Sequence, residues 1–159
     1  MSFAHSELLA ATATVLFIAG GFPSQAGQKV DEAGVIVCVN DKWEEKELAK
    51  DHKVADYAGR CVKVPEAPTA AKSTEECTGK YEYIPNGTWQ ANGTCLVTIK
   101  EGETFSITWQ EGSNLETNTY QATGGTGRFK GVTGGGTYKY DQLTTTLFGG
   151  RYHSKFDLP

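Results

Sequence analysis

The second half of the chain alternates apolar and polar positions with a period of two. Phe105, Ile107 and Trp109 take turns with Ser106, Thr108 and Gln110, so a strand over residues 104–111 buries one face and wets the other. Residues 78–84 (TGKYEYI) alternate aromatic and polar side chains in the same way. Turn chemistry separates these runs: Pro85-Asn86-Gly87, Asn92-Gly93, Glu101-Gly102 and Gly112-Ser113-Asn114. The pattern predicts a short strand at 88–91 ending in a hairpin turn at Asn92-Gly93. Strands then follow over 94–100, 104–111 and 115–123, and residues 143–156 close the chain.

Residues 123–140 (TGGTGRFKGVTGGGTYKY) are rich in glycine, yet Phe129, Val132, Tyr138 and Tyr140 sit among the glycines. A flexible linker would not carry those side chains, and a helix loses about 1 kcal/mol for each glycine relative to alanine. Two strands with glycine turns and bulges fit instead. The segment is not a phosphate loop, because it lacks the Walker spacing and no helix follows it.

The first half is less regular. Residues 35–40 (VIVCVN) read as a strand, and residues 54–64 as a strand interrupted by glycine. Residues 41–53 (DKWEEKELAKDHK) are charged and lack alternation, which predicts a short helical or loop insertion, with Asp41 as a helix cap. Residues 66–76 read as a flexible connection. About eight strands therefore fit between Val35 and Phe156. The expected fold is all-β, an eight-stranded antiparallel barrel, and that strand number gives an interior filled by side chains or holding one small ligand.

The run YQATGGTGRFKGVTGGGTYKY resembles the late-barrel segment of the allene oxide cyclase and dirigent families. The likeness covers Leu115 to about Phe156. It implies an eight-stranded barrel, often trimeric, that acts on or guides apolar small molecules. No catalytic residue carries over position by position.

Residues 8–22 (LLAATATVLFIAGGF) are apolar and uncharged, and Ser24 and Ala26 suit signal peptidase. Residues 1–26 are thus expected to be a signal peptide and residues 27–159 one domain, secreted or periplasmic. Glu7 and the lack of Lys or Arg before the apolar run depart from the usual signal. An uncleaved anchor is the other reading. The net charge of −4 argues against nucleic acid as a partner, since phosphate binding wants a basic stripe. With the signal removed, no membrane association is expected.

Cys38, Cys61, Cys77 and Cys95 all follow the expected cleavage point. An even count in an exported domain implies disulfides. Of the three possible pairings, Cys38–Cys61 and Cys77–Cys95 are favoured, because each would flank one local loop. There is no CxxC, HxH or HxxxH spacing, so neither a metal nor another cofactor is expected.

No catalytic signature is present. His52 and His153 have no nucleophile motif beside them. The aromatic density of the β region suits either a solid core or a pocket for an apolar ligand. Trp109 falls on the inward face of its strand, and Tyr83, Tyr120 and Tyr138 are the candidates to line the same space. Glu111 is the nearest carboxylate and the candidate acid or base if there is turnover. The expected function is binding of an apolar small molecule in an exported barrel. The alternatives are a cyclase or isomerase acting on an apolar substrate and a solid structural barrel. A homo-oligomer, trimer or dimer, is a further expectation.

Overall fold

The structure is a computed structural model that describes residues 27–99 and 102–159. The expected signal peptide, residues 1–26, lies outside the described residues. Eight strands form one closed barrel: β1 (Gln28–Ala49), β2 (His52–Pro65), β3 (Ser73–Tyr83), β4 (Trp89–Ile99), β5 (Thr104–Gly112), β6 (Asn118–Gly125), β7 (Thr133–Gln142) and β8 (Leu147–Leu158). Each strand pairs antiparallel with its neighbours in sequence, and β8 returns to pair with β1. Full closure leaves no strand edge open within the barrel wall. The expected all-β, eight-stranded barrel is the observed one. A short 3-10 turn, Gly127–Phe129, lies between β6 and β7.

The alternation read from the sequence is the inside–outside alternation of the wall. Phe105, Ile107, Trp109 and Glu111 of β5 are buried, while Thr108 and Gln110 face out. On β2, Cys61 and Lys63 point inward beside exposed Arg60, Val62 and Val64. On β3, Ser73, Glu75 and Cys77 are buried. The core is therefore the barrel interior, with Ile36, Val97, Phe105, Ile107, Trp109, Tyr120 and Tyr152 at its centre.

Two expectations are corrected. No helix or loop is inserted at 41–53. Instead, β1 runs on to Ala49 and pairs with β2 as far as Ala49 opposite His52. The connection is the two-residue turn Lys50-Asp51, with Asp51 at φ 61°, a conformation Asp tolerates better than most residues. The partnership with β8 ends at Val39 opposite Leu147, so beyond that point β1 pairs with β2 alone and every residue from 41 to 51 is exposed. Both faces are wet, which is why alternation is missing. Asn92-Gly93 is not a hairpin turn either. It lies inside β4, where Gly93 is opposite Gly79 on one side and Trp109 on the other.

The glycine-rich segment supplies a bulge. The β5–β6 register shifts between Ser106 and Ile107, where Thr123 is left without an opposing residue and Gly124 takes φ 139°. A classic strand residue would be strained there.

Both expected disulfides form, each between directly opposed residues of neighbouring strands. Cys38–Cys61 joins β1 to β2, and Cys77–Cys95 joins β3 to β4. All four half-cystines are buried in the inner wall.

Candidate functional site

The barrel opens at the end from which the β1–β2 hairpin projects. A cavity of about 610 Å³ lies there, walled by Trp43, Tyr57, Tyr81, Tyr83, Trp89, Tyr140 and Phe148, with Glu111 at its floor. The volume falls in the usual range for small-molecule sites. Strand register builds the wall: Tyr81 and Tyr83 end β3, Trp89 begins β4 opposite Tyr83, and Trp43 on the hairpin reaches over the rim. Six of the rings touch in two groups. Tyr81 and Trp89 stack with centroids 5.8 Å apart, Trp43 tilts against Tyr81 at 4.8 Å, and Tyr57 meets Tyr81 edge-on at 5.9 Å. Tyr140 and Phe148 close the far side at 5.7 Å. Trp43 is 37% exposed, so its indole is available to the cavity contents.

Glu111 is the polar centre of the floor and is only 6% exposed. The Tyr81 hydroxyl donates to its Oε2 at 2.8 Å, and the Tyr138 hydroxyl donates to its Oε1 at 2.7 Å. The Tyr140 hydroxyl donates to Oε1 as well. Three charge-assisted bonds compensate this carboxylate for the water it has lost. The effect is mutual: burial pushes the ionisation of Tyr81, Tyr138 and Tyr140 well above the ordinary tyrosine range, and the charge of Glu111 pushes it further. Tyr57 is pushed up to about 12, first by burial and then by Glu111.

Directly below this floor the interior is nearly filled, while a separate cavity of about 290 Å³ lies beyond it, lined by Val97, Phe105, Phe129, Ser154 and Phe156. A void of about 40 Å³ remains, bordered by Trp109, Glu111, Lys63, Glu75 and the cystines, room for no more than a few waters. Lys63 Nζ lies 2.7 Å from Glu75 Oε1, with both side chains almost fully buried. Burial works against the charge of Lys63, but Glu75 and then the hydroxyl group of Tyr120 outweigh it, so the Lys63 pKa stands above the ordinary value. Tyr120 shares a 2.5 Å hydrogen bond with Ser154. Trp109 Nε1 is a buried donor with no partner among the described residues.

The residues singled out in the sequence divide between these levels. Tyr83 is in the wall of the open cavity, and Glu111 is in its floor. Tyr138 holds Glu111 from below, and Trp109 and Tyr120 are core residues of the packed interior. The aromatic density read from the sequence included Tyr81, Trp89, Tyr140 and Phe148 without singling them out, and it missed Trp43, Tyr57 and the buried pair Lys63–Glu75. Lys63 and Glu75 each stand two positions from an inward cysteine, so strand parity alone places them inside. His52 and His153 are outside, paired with Glu82 at 2.9 Å and Asp31 at 2.5 Å.

Cys61, Glu75 and Cys77 approach one another closely enough to suggest metal ligands. Both sulfurs are consumed in disulfides, so the group does not fit a metal in the oxidised protein.

No family model matches the sequence, and no curated protein matches it. Solved structures do match in fold. A pterocarpan synthase dirigent protein superposes with a TM-score of 0.52 at 14% identity, over 92% of this chain and 97% of its own. A second pterocarpan synthase dirigent protein gives 0.55 at 14%, over 82% of this chain and 96% of its own. A protein of unknown function from Shewanella oneidensis MR-1, of the DUF3224 family, gives 0.53 at 13%, over 84% of this chain and 98% of its own. The resemblance read from the GGTGRF segment is thus corrected in scope: it is to the dirigent type of barrel, through the whole wall, and it does not rest on that segment or on the cyclases. What this chain shares with these proteins is a dirigent-like small β-barrel fold.

Proposed function

We propose that this protein is an exported barrel that binds an apolar small molecule in its aromatic mouth. The observation that carries the reading is the open cavity of about 610 Å³ above a packed interior, with seven aromatic side chains in its wall and one buried carboxylate in its floor. Aromatic walls supply affinity, and polar groups, Glu111 in the floor and Asn40, Gln142 and Thr146 among the lining, orient the ligand. Two disulfides support an oxidising compartment.

A cyclase or isomerase acting on an apolar substrate is the second reading. It is favoured by Glu111, a carboxylate that faces the cavity and is already linked to three hydroxyls. In that reading Glu111 is the acid or base.

The test uses the neutral fluorophore N-phenyl-1-naphthylamine. Its emission should rise on binding, with affinity near micromolar, or about −8 kcal/mol, and tryptophan emission should be quenched. Trp89→Ala should weaken binding by about tenfold, the loss of roughly one aromatic contact. No enhancement with the folded protein, together with no small molecule retained in native mass spectra of protein from its own host, would sink the binding proposal.

A further inference from the structure

We infer that the ligand of this cavity is an organic cation, a protonated amine or quaternary ammonium carried on an apolar body. The inference rests on the binding function proposed above and names the chemistry of its ligand.

The charges around the cavity are matched, with one exception. At the rim, both oxygens of Asp41 accept from Arg60. Lys42 pairs with Glu44 at 3.0 Å. Deeper in, Lys63 is spent on Glu75 at 2.7 Å. Glu111 is different. Its partners are three neutral hydroxyls, and no Lys, Arg or His pairs with it among the described residues. The hydroxyls satisfy its hydrogen-bonding capacity but leave its charge uncompensated. The interior therefore carries one net negative charge, placed under the mouth, in surroundings where screening by solvent and salt is weak.

The wall above that charge has matching chemistry. Trp43, Tyr57, Tyr81, Trp89 and Tyr140 present π-systems to the cavity, and a cation within about 6 Å of such a ring is attracted by its quadrupole. Tyr81 and Tyr140 contribute twice. Each donates its hydroxyl to Glu111, which fixes its ring beside the carboxylate. A neutral apolar ligand would use the rings but not the charge. An anion would meet repulsion from Glu111 with no free cation to offset it. A cation with an apolar body uses both features.

The decisive comparison is between isosteres. Phenyltrimethylammonium and tert-butylbenzene have nearly the same shape and differ by one charge, and benzoate supplies the opposite sign. Binding is followed by tryptophan quenching and by displacement of N-phenyl-1-naphthylamine. The expected result is at least about tenfold tighter binding of the ammonium than of tert-butylbenzene, with benzoate weakest. Glu111→Gln keeps an acceptor for the tyrosine hydroxyls and should reduce that preference by about fivefold or more. If Glu111→Gln does not fold, the ratio measured on the unaltered protein decides by itself. Equal or tighter binding of tert-butylbenzene or benzoate overturns the cation inference and leaves the binding function standing. A cation preference unchanged in folded Glu111→Gln overturns the role given to Glu111 and with it the inference. Failure of all three probes, and of N-phenyl-1-naphthylamine, removes the binding function itself.

Discussion

Gly93 on β4 and Trp109 on β5 are cross-strand partners, and the indole of Trp109 fills the space that a side chain at Gly93 would need. Gly79 on β3, opposite Gly93, leaves the same room on the other side. The largest side chain of β5 thus lies over one glycine of β4 and one of β3. Gly93→Ala is expected to cost about 2 kcal/mol through overpacking, because its Cβ would meet both the indole and the Thr78 carbonyl. Chemical denaturation with near-ultraviolet circular dichroism measures this. Unchanged stability and an unchanged tryptophan signal would mean that the indole does not occupy this position.

All seven tyrosines of the chain have ionisation raised above the ordinary value, with burial the largest cause in each. A raised folded-state pKa means that the folded protein holds protons the unfolded chain has released. The resulting stability is fully present below the unfolded value, about 10, and declines as pH rises from there through the raised values. Absorbance near 295 nm should therefore show little tyrosinate at pH 10, and ionisation should coincide with alkaline unfolding. A set of tyrosines titrating at about 10 in protein that is still folded would contradict the buried network.

Lys63 and Glu75 form an ion pair closed off inside the barrel. Removing one partner leaves the other charge buried and unpaired, so Lys63→Met is expected to destabilise by about 3–5 kcal/mol. Glu75→Leu should do the same. The double substitution is expected to recover most of the loss, since two apolar side chains of similar volume need no pairing. Additive losses in the double variant would show that the two charges do not compensate each other.

The disulfides close sequence separations of 23 and 18 residues. In the chain-entropy model each is worth about 3 kcal/mol. Reduction should lower the denaturation midpoint by an amount matching several kcal/mol, and peptide mapping without reduction should recover Cys38–Cys61 and Cys77–Cys95. A cross-connected peptide would contradict the strand register that opposes these cysteines.

How much of this was legible beforehand follows from where each residue meets water. Along β5, one face is buried and the other wet, so Phe105, Ile107 and Trp109 announced a strand and its inward side. The number of such strands gave the barrel, and short separations between cysteines gave the disulfides. At 41–49 the chain is also a strand, but it runs past the end of β8 and every residue is exposed. Burial imposes no period there, and a charged segment reads equally well as helix or loop. Asn92-Gly93 misled for a related reason: a glycine demanded by the Trp109 indole looks, in one dimension, like a glycine demanded by a turn. The site lay further from view. Parity places Glu111 inside, next in line after Trp109, but its three hydroxyl partners lie 30, 27 and 29 residues away on β3 and β7. Local pattern determines which face of a strand is buried. Only closure of the barrel, which fixes the register and brings β3 and β7 round to β5, decides which side chains meet across it.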